Sequence, residues 1–147
     1  MKNNPDSIPT LLGFEDIHVG DVHLFERILT QADISAFATL VGDQNPIHVD
    51  KDYGKQSEFK NNVIHGMLVG SLFSALIGMR CPGKKSLYLS QSLNFRAPIF
   101  AGDNLTIRGT VIAKNHAIAL VTLRTEVLRA NVIVVDGEAK VRVRTNG

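Results

Sequence analysis

Tryptophan is absent from this 147-residue chain, and cysteine occurs once, at Cys81. A lone thiol cannot form an intramolecular disulfide, so we expect a reducing compartment, the cytoplasm. Long hydrophobic runs are also missing. The longest apolar stretch, residues 63–79, is short for a membrane span and contains His65. It therefore predicts a buried helix, and the polar residues 1–10 carry no apolar core of a secretion signal.

Charge of one sign is not concentrated anywhere in the sequence. The 16 Lys and Arg and the 14 Asp and Glu give a net charge of +2, and the basic residues are scattered. Nucleic acid and membrane partners are therefore not expected. The length and the 44% hydrophobic content suit one core. We predict a single domain over residues 1–147, in which residues 1–12 form a loosely ordered N-terminal extension.

The front half of the chain predicts one strand and two helices. Residues 21–30 alternate loosely and indicate the strand. Thr30 and Asp33 have capping-box spacing, and Gly42 is placed to end the helix that follows them. A short helix or turn is expected over residues 51–60. The second helix spans about residues 65–79, and small residues recur every four positions along it. They are Gly66, Gly70, Ser74 and Gly78. This stripe predicts close packing against a neighbouring segment.

The back half predicts four strands. The segment 86–95 would place Leu87, Leu89, Leu93 and Phe95 on one face. Segments 104–113, 117–128 and 132–144 follow, with turns near residues 115–116 and 131. Because the strands are consecutive, the pattern predicts an α+β class with an antiparallel sheet curled around the long helix.

The segment GDQNPIHVD, residues 42–50, places an acid and an imidazole five residues apart. On one helix Asp43 and His48 would face different directions, so they can meet only if the segment bends. Asp43 and Asn45 can also be explained without catalysis, because both residue types commonly cap and bend the chain in ordinary turns. His48, Asp50 and Asp52 are also possible metal ligands, but no metal-binding spacing accompanies them, and we expect no metal.

The order of three segments is similar to that of a known family. GDQNPIHVD, then FKNNVIHGMLVGSLFSALIG, then LNFRAPIFAGDNLTIRGTV resembles the MaoC-like, or (R)-specific enoyl-CoA hydratase, family. The resemblance extends from about residue 13 to residue 144. It implies a hot dog fold, in which an antiparallel sheet wraps a central helix, and this agrees with the pattern analysis above.

The resemblance implies a hydro-lyase that adds water reversibly to a trans-2-enoyl thioester. Asp43 and His48 match the family's catalytic acid and histidine, and Gly66 matches the glycine whose N–H holds the thioester oxygen. Ser74 matches a supporting serine, with Ser71 as the nearby alternative. Coenzyme A or acyl carrier protein would enter as part of the substrate, with no separate cofactor. A half-open groove and a free sheet edge predict a homodimer or larger even assembly.

Two other functions remain open from the sequence. A thioesterase would need a carboxylate or nucleophile on the central helix, and residues 65–78 contain no Asp or Glu. A non-catalytic acyl-thioester-binding subunit would have no chemical need for Asp43, His48 and Gly66 together. We expect His65 to be structural and Cys81 to be an incidental thiol. Four basic residues are candidates for contact with coenzyme A phosphates: Arg80, Lys84, Lys85 and Arg96.

Overall fold

The computed structural model describes residues 7–145. The helices are α1 (Gln31–Val41), α2 (Pro46–Val49), α3 (Lys51–Gln56) and α4 (Gly66–Ala75), which continues as a π-helical turn (Leu76–Arg80). The strands are β1 (Val22–Ile28), β2 (Ser86–Gln91), β3 (Asn94–Phe95), β4 (Asn104–Asn115), β5 (Leu120–Arg129) and β6 (Val132–Val143). Short 3₁₀ helices lie at Phe14–Asp16 and His116–Ile118.

The six strands form one antiparallel sheet in the order β1-β4-β5-β6-β2, with β3 also pairing with β6. The sheet packs around α4 and its π-helical extension, whose Phe73, Leu76 and Ile77 are fully buried. Gly109 of β4 makes room for this helix, because a Cβ there would lie 2.8 Å from a Leu76 methyl group. This is the hot dog fold, and the α+β prediction is confirmed.

Local sequence signals account for the ends of α1. Thr30 Oγ1 accepts a hydrogen bond from the Asp33 N–H, and the Asp33 carboxylate accepts one from the Thr30 N–H. This is the predicted capping box, which satisfies two otherwise unpaired donors. Gly42 ends the helix in the left-handed region at φ 81°, a conformation that glycine adopts without steric cost.

The prediction of one strand over residues 86–95 was wrong in two respects. The segment forms two strands, β2 and β3, and the pairing with β6 shifts by one residue between Tyr88 and Ser90. This β-bulge reverses which face each following side chain occupies. Leu87 and Leu89 are therefore exposed, whereas Leu93 packs against the core. The expected common face of Leu87, Leu89, Leu93 and Phe95 does not exist.

The central helix is not enclosed on every side. Met67, Ser71, Ser74 and Ala75 are exposed along one face of α4. The small-residue stripe is used on another side, where Gly66 faces the Phe95 ring and Gly70 faces Leu93. A Cβ added at Gly78 would meet nothing within 4 Å. The predicted close packing thus holds for the first half of the stripe.

Part of the segment 1–12 lies outside the described residues. Within the described part, the backbone N–H of Thr10 donates to the Met79 carbonyl, and that of Leu12 donates to the Pro82 carbonyl. Thr10 Oγ1 donates to the Arg80 carbonyl at 2.6 Å. Residues 10–12 are therefore attached to the end of the central helix. Across residues 7–145, no helix is both long enough and apolar enough to cross a membrane.

Candidate active site

The segment between α1 and α2 turns sharply and places Asp43 beside the start of the central helix. The Asp43 carboxylate accepts a hydrogen bond from the Asn45 N–H at 3.2 Å. Asn45 is the N-cap of α2, where its side-chain oxygen accepts from the Ile47 N–H, and Pro46 follows at the first helical position. Proline is suited to that position because it lacks the N–H that would be unpaired. The bend therefore spans residues 42–45, and His48 lies on a short helix rather than in the predicted loop.

The imidazole of His48 is held by the backbone of the next segment. Its Nδ1 lies 2.7 Å from the Val63 carbonyl oxygen. A carbonyl can only accept, so Nδ1 carries the hydrogen in this contact. In the neutral ring Nε2 then keeps its lone pair, and it is the nitrogen free to accept a proton from a bound molecule.

Asn62 positions the helix that carries His48. Its side chain is buried, and its amide nitrogen donates to the carbonyls of Ile47 at 2.9 Å and Asp50 at 2.8 Å, with a longer contact to Pro46 at 3.3 Å. Gly54 of α3 lies against this residue, since a Cβ there would approach the Asn62 amide to 2.7 Å. Asn62 could not be predicted from the sequence, because nothing local marks an asparagine whose partners lie 12 to 16 residues away.

His65 joins Asp43 to His48. Its Nε2 lies 3.0 Å from the Asp43 backbone oxygen and 3.9 Å from a carboxylate oxygen of the same residue. Its ring stacks on the His48 ring with centroids 3.8 Å apart. The side chain is 3% exposed, and its Nδ1 is buried without a hydrogen-bond partner among the described residues. From the sequence His65 was expected to be structural, and its contacts with Asp43 and His48 could not be anticipated.

Gly66 supplies an unpaired donor next to these side chains. It is the first residue of α4, where an N–H has no intrahelical acceptor. Among residues 7–145 no group accepts a hydrogen bond from the Gly66 N–H. The helix dipole adds partial positive charge at this end. The ring of Phe95 covers the Cα, because a Cβ on Gly66 would lie 2.9 Å from the ring.

Two cavities meet at this point. One of about 490 Å³ lies between the start of α4 and the segment 95–99, and one of about 480 Å³ lies between α1 and α4. His48, Gly66 and Met67 line both of them. Apolar side chains make up most of the remaining walls. These include Phe59, Val63, Phe95 and Ile99 in the first cavity and Phe37 and Val41 in the second. An extended ligand with a polar centre and two apolar arms would fit across them.

Asp43, His48 and His65 each bring one potential ligand atom within 4.8 Å of the others. A tetrahedral zinc ion would need these atoms about 3.3 Å apart, given metal–nitrogen distances of about 2.0–2.1 Å. The two histidines also each use one ring nitrogen toward a backbone carbonyl. Asp50, the alternative ligand considered from sequence, instead caps α3 by accepting from the Asp52 and Tyr53 N–H groups. A water molecule fits this spacing, because it can bridge two acceptors separated by up to about 5 Å.

The two serines of the central helix lie in different surroundings. Ser71 lines the cavity that contains Asp43 and His48, and its hydroxyl donates to the Leu68 carbonyl at 2.6 Å. Ser74 is exposed almost one turn further along and does not line that cavity. Within this chain, therefore, the structure brings together Asp43, His48 and Gly66 and leaves Ser74 apart from them.

Of the basic residues considered for phosphate contact, Arg80 lines a separate cavity beside β1, and Arg96 is the one that reaches the candidate site. It lines the cavity beside His48, but its guanidinium forms two hydrogen bonds to the Asp136 carboxylate. These bonds raise the pKa of Arg96 and lower the pKa of Asp136. Any anion at the cavity mouth would therefore compete with Asp136 for this cation.

Comparison with known proteins agrees with this architecture. An (R)-specific enoyl-CoA hydratase from Rhodospirillum rubrum is 40% identical over 134 residues, covering 91% of this chain and 93% of that protein. A 3-hydroxybutyryl-CoA dehydratase from Methylorubrum extorquens is 34% identical, covering 90% and 85%. The solved (R)-hydratase of Aeromonas caviae superimposes with a TM-score of 0.85 at 37% identity, covering 88% of this chain and 98% of that one.

Residues 18–132 match the family described as the MaoC like domain, a span that includes Asp43, His48, the start of α4 and strands β1 to β5. The resemblance inferred from GDQNPIHVD and HGML is confirmed, and the chain belongs to the MaoC-like dehydratase family.

Proposed function

We propose that this protein is an (R)-specific enoyl-CoA hydratase, which adds water reversibly to a trans-2-enoyl thioester and, in reverse, dehydrates the 3-hydroxyacyl thioester. One observation carries the proposal. A carboxylate and an imidazole lie within 4.8 Å of each other beside the unpaired N–H of Gly66, where two largely apolar cavities meet.

The Gly66 N–H is the proposed site of the thioester oxygen. Addition at C3 pushes negative charge onto this oxygen, and a helix N-terminal N–H stabilises it without having to reorient. In a well-characterised hydrolase, loss of one such donor costs roughly 3 to 4 kcal/mol. The acyl chain and the pantetheine arm would then extend into the two cavities on either side of Gly66.

Asp43 and His48 would hold the attacking water between them. Neutral His48, with its hydrogen on Nδ1 facing the Val63 carbonyl, offers the Nε2 lone pair to accept a proton as the oxygen attacks C3. The Asp43 carboxylate orients the same water, and the pair returns one proton to C2. Acid–base help of this kind is worth about 10²- to 10⁴-fold. The (R) configuration of the 3-hydroxyacyl product is proposed from the (R)-specific relatives that this chain resembles.

Several finer assignments belong to the same proposal. The chemistry requires no resident cofactor or metal, and the thioester is carried by coenzyme A or acyl carrier protein. The exposed face of α4 and the exposed Leu87 and Leu89 of β2 support a homodimer or a larger even assembly that would cover them. The lone Cys81, which forms no disulfide within the chain, supports a cytoplasmic location. The supporting role of Ser74 would require contact with a partner subunit or with substrate, because the chain itself leaves this side chain exposed.

The test is a set of trans-2-enoyl-CoA substrates of increasing chain length, followed by loss of the enoyl absorbance, with chiral analysis of the alcohol. We expect consumption of the enoyl thioester and formation of the (R)-alcohol. Parallel assays with acyl carrier protein thioesters decide the carrier. Release of free coenzyme A without loss of the double bond would instead identify a thioesterase, and binding without turnover would indicate a non-catalytic subunit.

A further inference from the structure

His65 makes two contacts that the proposed mechanism does not use. Its Nε2 faces the Asp43 carbonyl oxygen at 3.0 Å, and its ring lies against the His48 ring with centroids 3.8 Å apart and an interplanar angle of 26°. Both partners are residues to which the proposed function gives a role. The residue is also the N-cap of α4, one position before Gly66.

The first contact fixes the state of the His65 ring. The Asp43 carbonyl oxygen can only accept, so Nε2 carries the hydrogen, and the buried Nδ1 is left with a lone pair and no partner among residues 7–145. A buried acceptor without a partner costs about 1–3 kcal/mol, which a purely structural histidine would not need to bear. An apolar ring would fill the same space between Phe37 and His48 without that unpaired atom.

The contacts also connect residues from three elements of the site. Asp43 follows α1, His48 lies on α2, and Gly66 begins α4. The turn that carries Asp43 is exposed, and the carboxylate is about half exposed. A donor fixed at the start of α4 therefore determines how far the Asp43 backbone lies from the other two groups.

We infer that His65 is a positioning residue, whose Nε2–H holds the Asp43 backbone so that the carboxylate and His48 share one water molecule in front of the Gly66 N–H. It does not exchange a proton with substrate. This inference rests on the proposed hydratase function, and it assigns to His65 a part in turnover rather than in folding alone.

Two substitutions separate the hydrogen bond from the ring. His65→Phe keeps an aromatic ring against His48 and loses the donor. His65→Gln loses the ring, but its amide nitrogen reaches the position of Nε2 and keeps a donor for the Asp43 carbonyl. We expect His65→Phe to lower kcat about 10- to 100-fold, the scale of a small misplacement of reacting groups. KM should change little, and His65→Gln should recover much of the loss. His116→Phe and His116→Gln, at an exposed histidine distant in sequence from the site, are the matched controls.

The measurements are kcat and KM for hydration of an enoyl-CoA, with thermal unfolding recorded for every variant and assays run well below each melting temperature. Wild-type kcat in folded His65→Phe would overturn the inference, as would equal losses in His65→Phe and His65→Gln. If His65→Phe does not fold, His65→Asn replaces it, since its shorter amide cannot reach the Nε2 position. Asn and Gln variants of equal activity would then refute the inference. A wild-type protein without hydratase activity refutes the proposed function instead.

Discussion

His48 Nδ1 lies 2.7 Å from the carbonyl oxygen of Val63, a residue 15 positions further along the chain. This contact determines which ring nitrogen carries the hydrogen and which can act on a bound water. Substitution of His48 by Asn or by Gln therefore tests different nitrogens. The Asn amide nitrogen can occupy the place of Nδ1, and the Gln amide nitrogen can occupy that of Nε2.

His48→Asn should therefore preserve the bond to Val63 and the fold while removing the proton acceptor. We expect enoyl-CoA hydration to fall by at least about 10²-fold, the lower limit of typical acid–base contributions. His48→Gln and Asp43→Asn should lose at least as much. Steady-state kinetics, with circular dichroism as a check on folding, provides the measurement. Near-wild-type turnover in any of the three variants would remove that residue from the mechanism.

Two glycines of the central helix provide a second, internally controlled prediction. A Cβ at Gly66 would lie 2.9 Å from the Phe95 ring, whereas a Cβ at Gly78 would meet nothing within 4 Å. We expect Gly66→Ala to displace Phe95 and narrow the approach to the N–H, lowering kcat/KM about 10²-fold, as loss of one oxyanion donor does. Gly78→Ala should keep full activity and should not be less stable. Equal kinetics for the two variants would contradict the prediction that the close contact with Phe95 controls the approach of substrate to the Gly66 N–H.

Asn62 and its neighbour Asn61 provide a third pair. Asn62→Asp replaces the buried donor with a carboxylate that would face the carbonyls of Ile47 and Asp50. We expect the free energy of unfolding to fall by at least about 2 kcal/mol, because the substitution leaves a buried charge and two carbonyl acceptors without a donor. Asn61→Asp keeps the oxygen that accepts from the Asn62 N–H at 2.8 Å and should change stability little. Urea unfolding of both variants compares them directly. Matching losses would mean that Asn62 does not hold α2 in place.

These residues also show what the sequence could predict. The capping box at Thr30 and Asp33 and the stop at Gly42 depend on neighbours within a few positions, and both predictions are confirmed. The bulge between Tyr88 and Ser90 could not be predicted. It depends on how β2 pairs with β6, about 50 residues away, and one inserted residue changes the side-chain faces beyond it.

The residues of the candidate site also fall into those that could be predicted from local sequence and those that could not. Asp43, His48 and Gly66 occur in short motifs, and the structure brings them together. Asn62 and His65 act on partners 12 to 22 residues away, through contacts that form only when α2 and the turn before it pack against residues 62–65. Their residue types alone, an asparagine before an apolar run and a histidine at a helix start, fit ordinary structural roles equally well.

Cys81 provides the last prediction, which concerns pH. The thiol is buried among apolar side chains such as Ile17 and Ile77, and burial raises its pKa from 9.0 to about 12. A raised pKa means that the folded protein keeps the proton while the unfolded chain loses it. The stability contribution is therefore complete below pH 9 and is lost as the pH rises toward 12.

At pH 10 the loss should be about 1 kcal/mol relative to pH 8. Urea unfolding at the two pH values, in the wild type and in Cys81→Ala, should show a smaller pH-dependent loss in the variant, since only the wild type contains the thiol. A disulfide reagent at pH 8 should leave the folded protein unmodified and label it fully in urea, because the reagent requires an accessible thiolate. Rapid labelling of the folded protein would show that this part of the core opens far more readily than its burial implies.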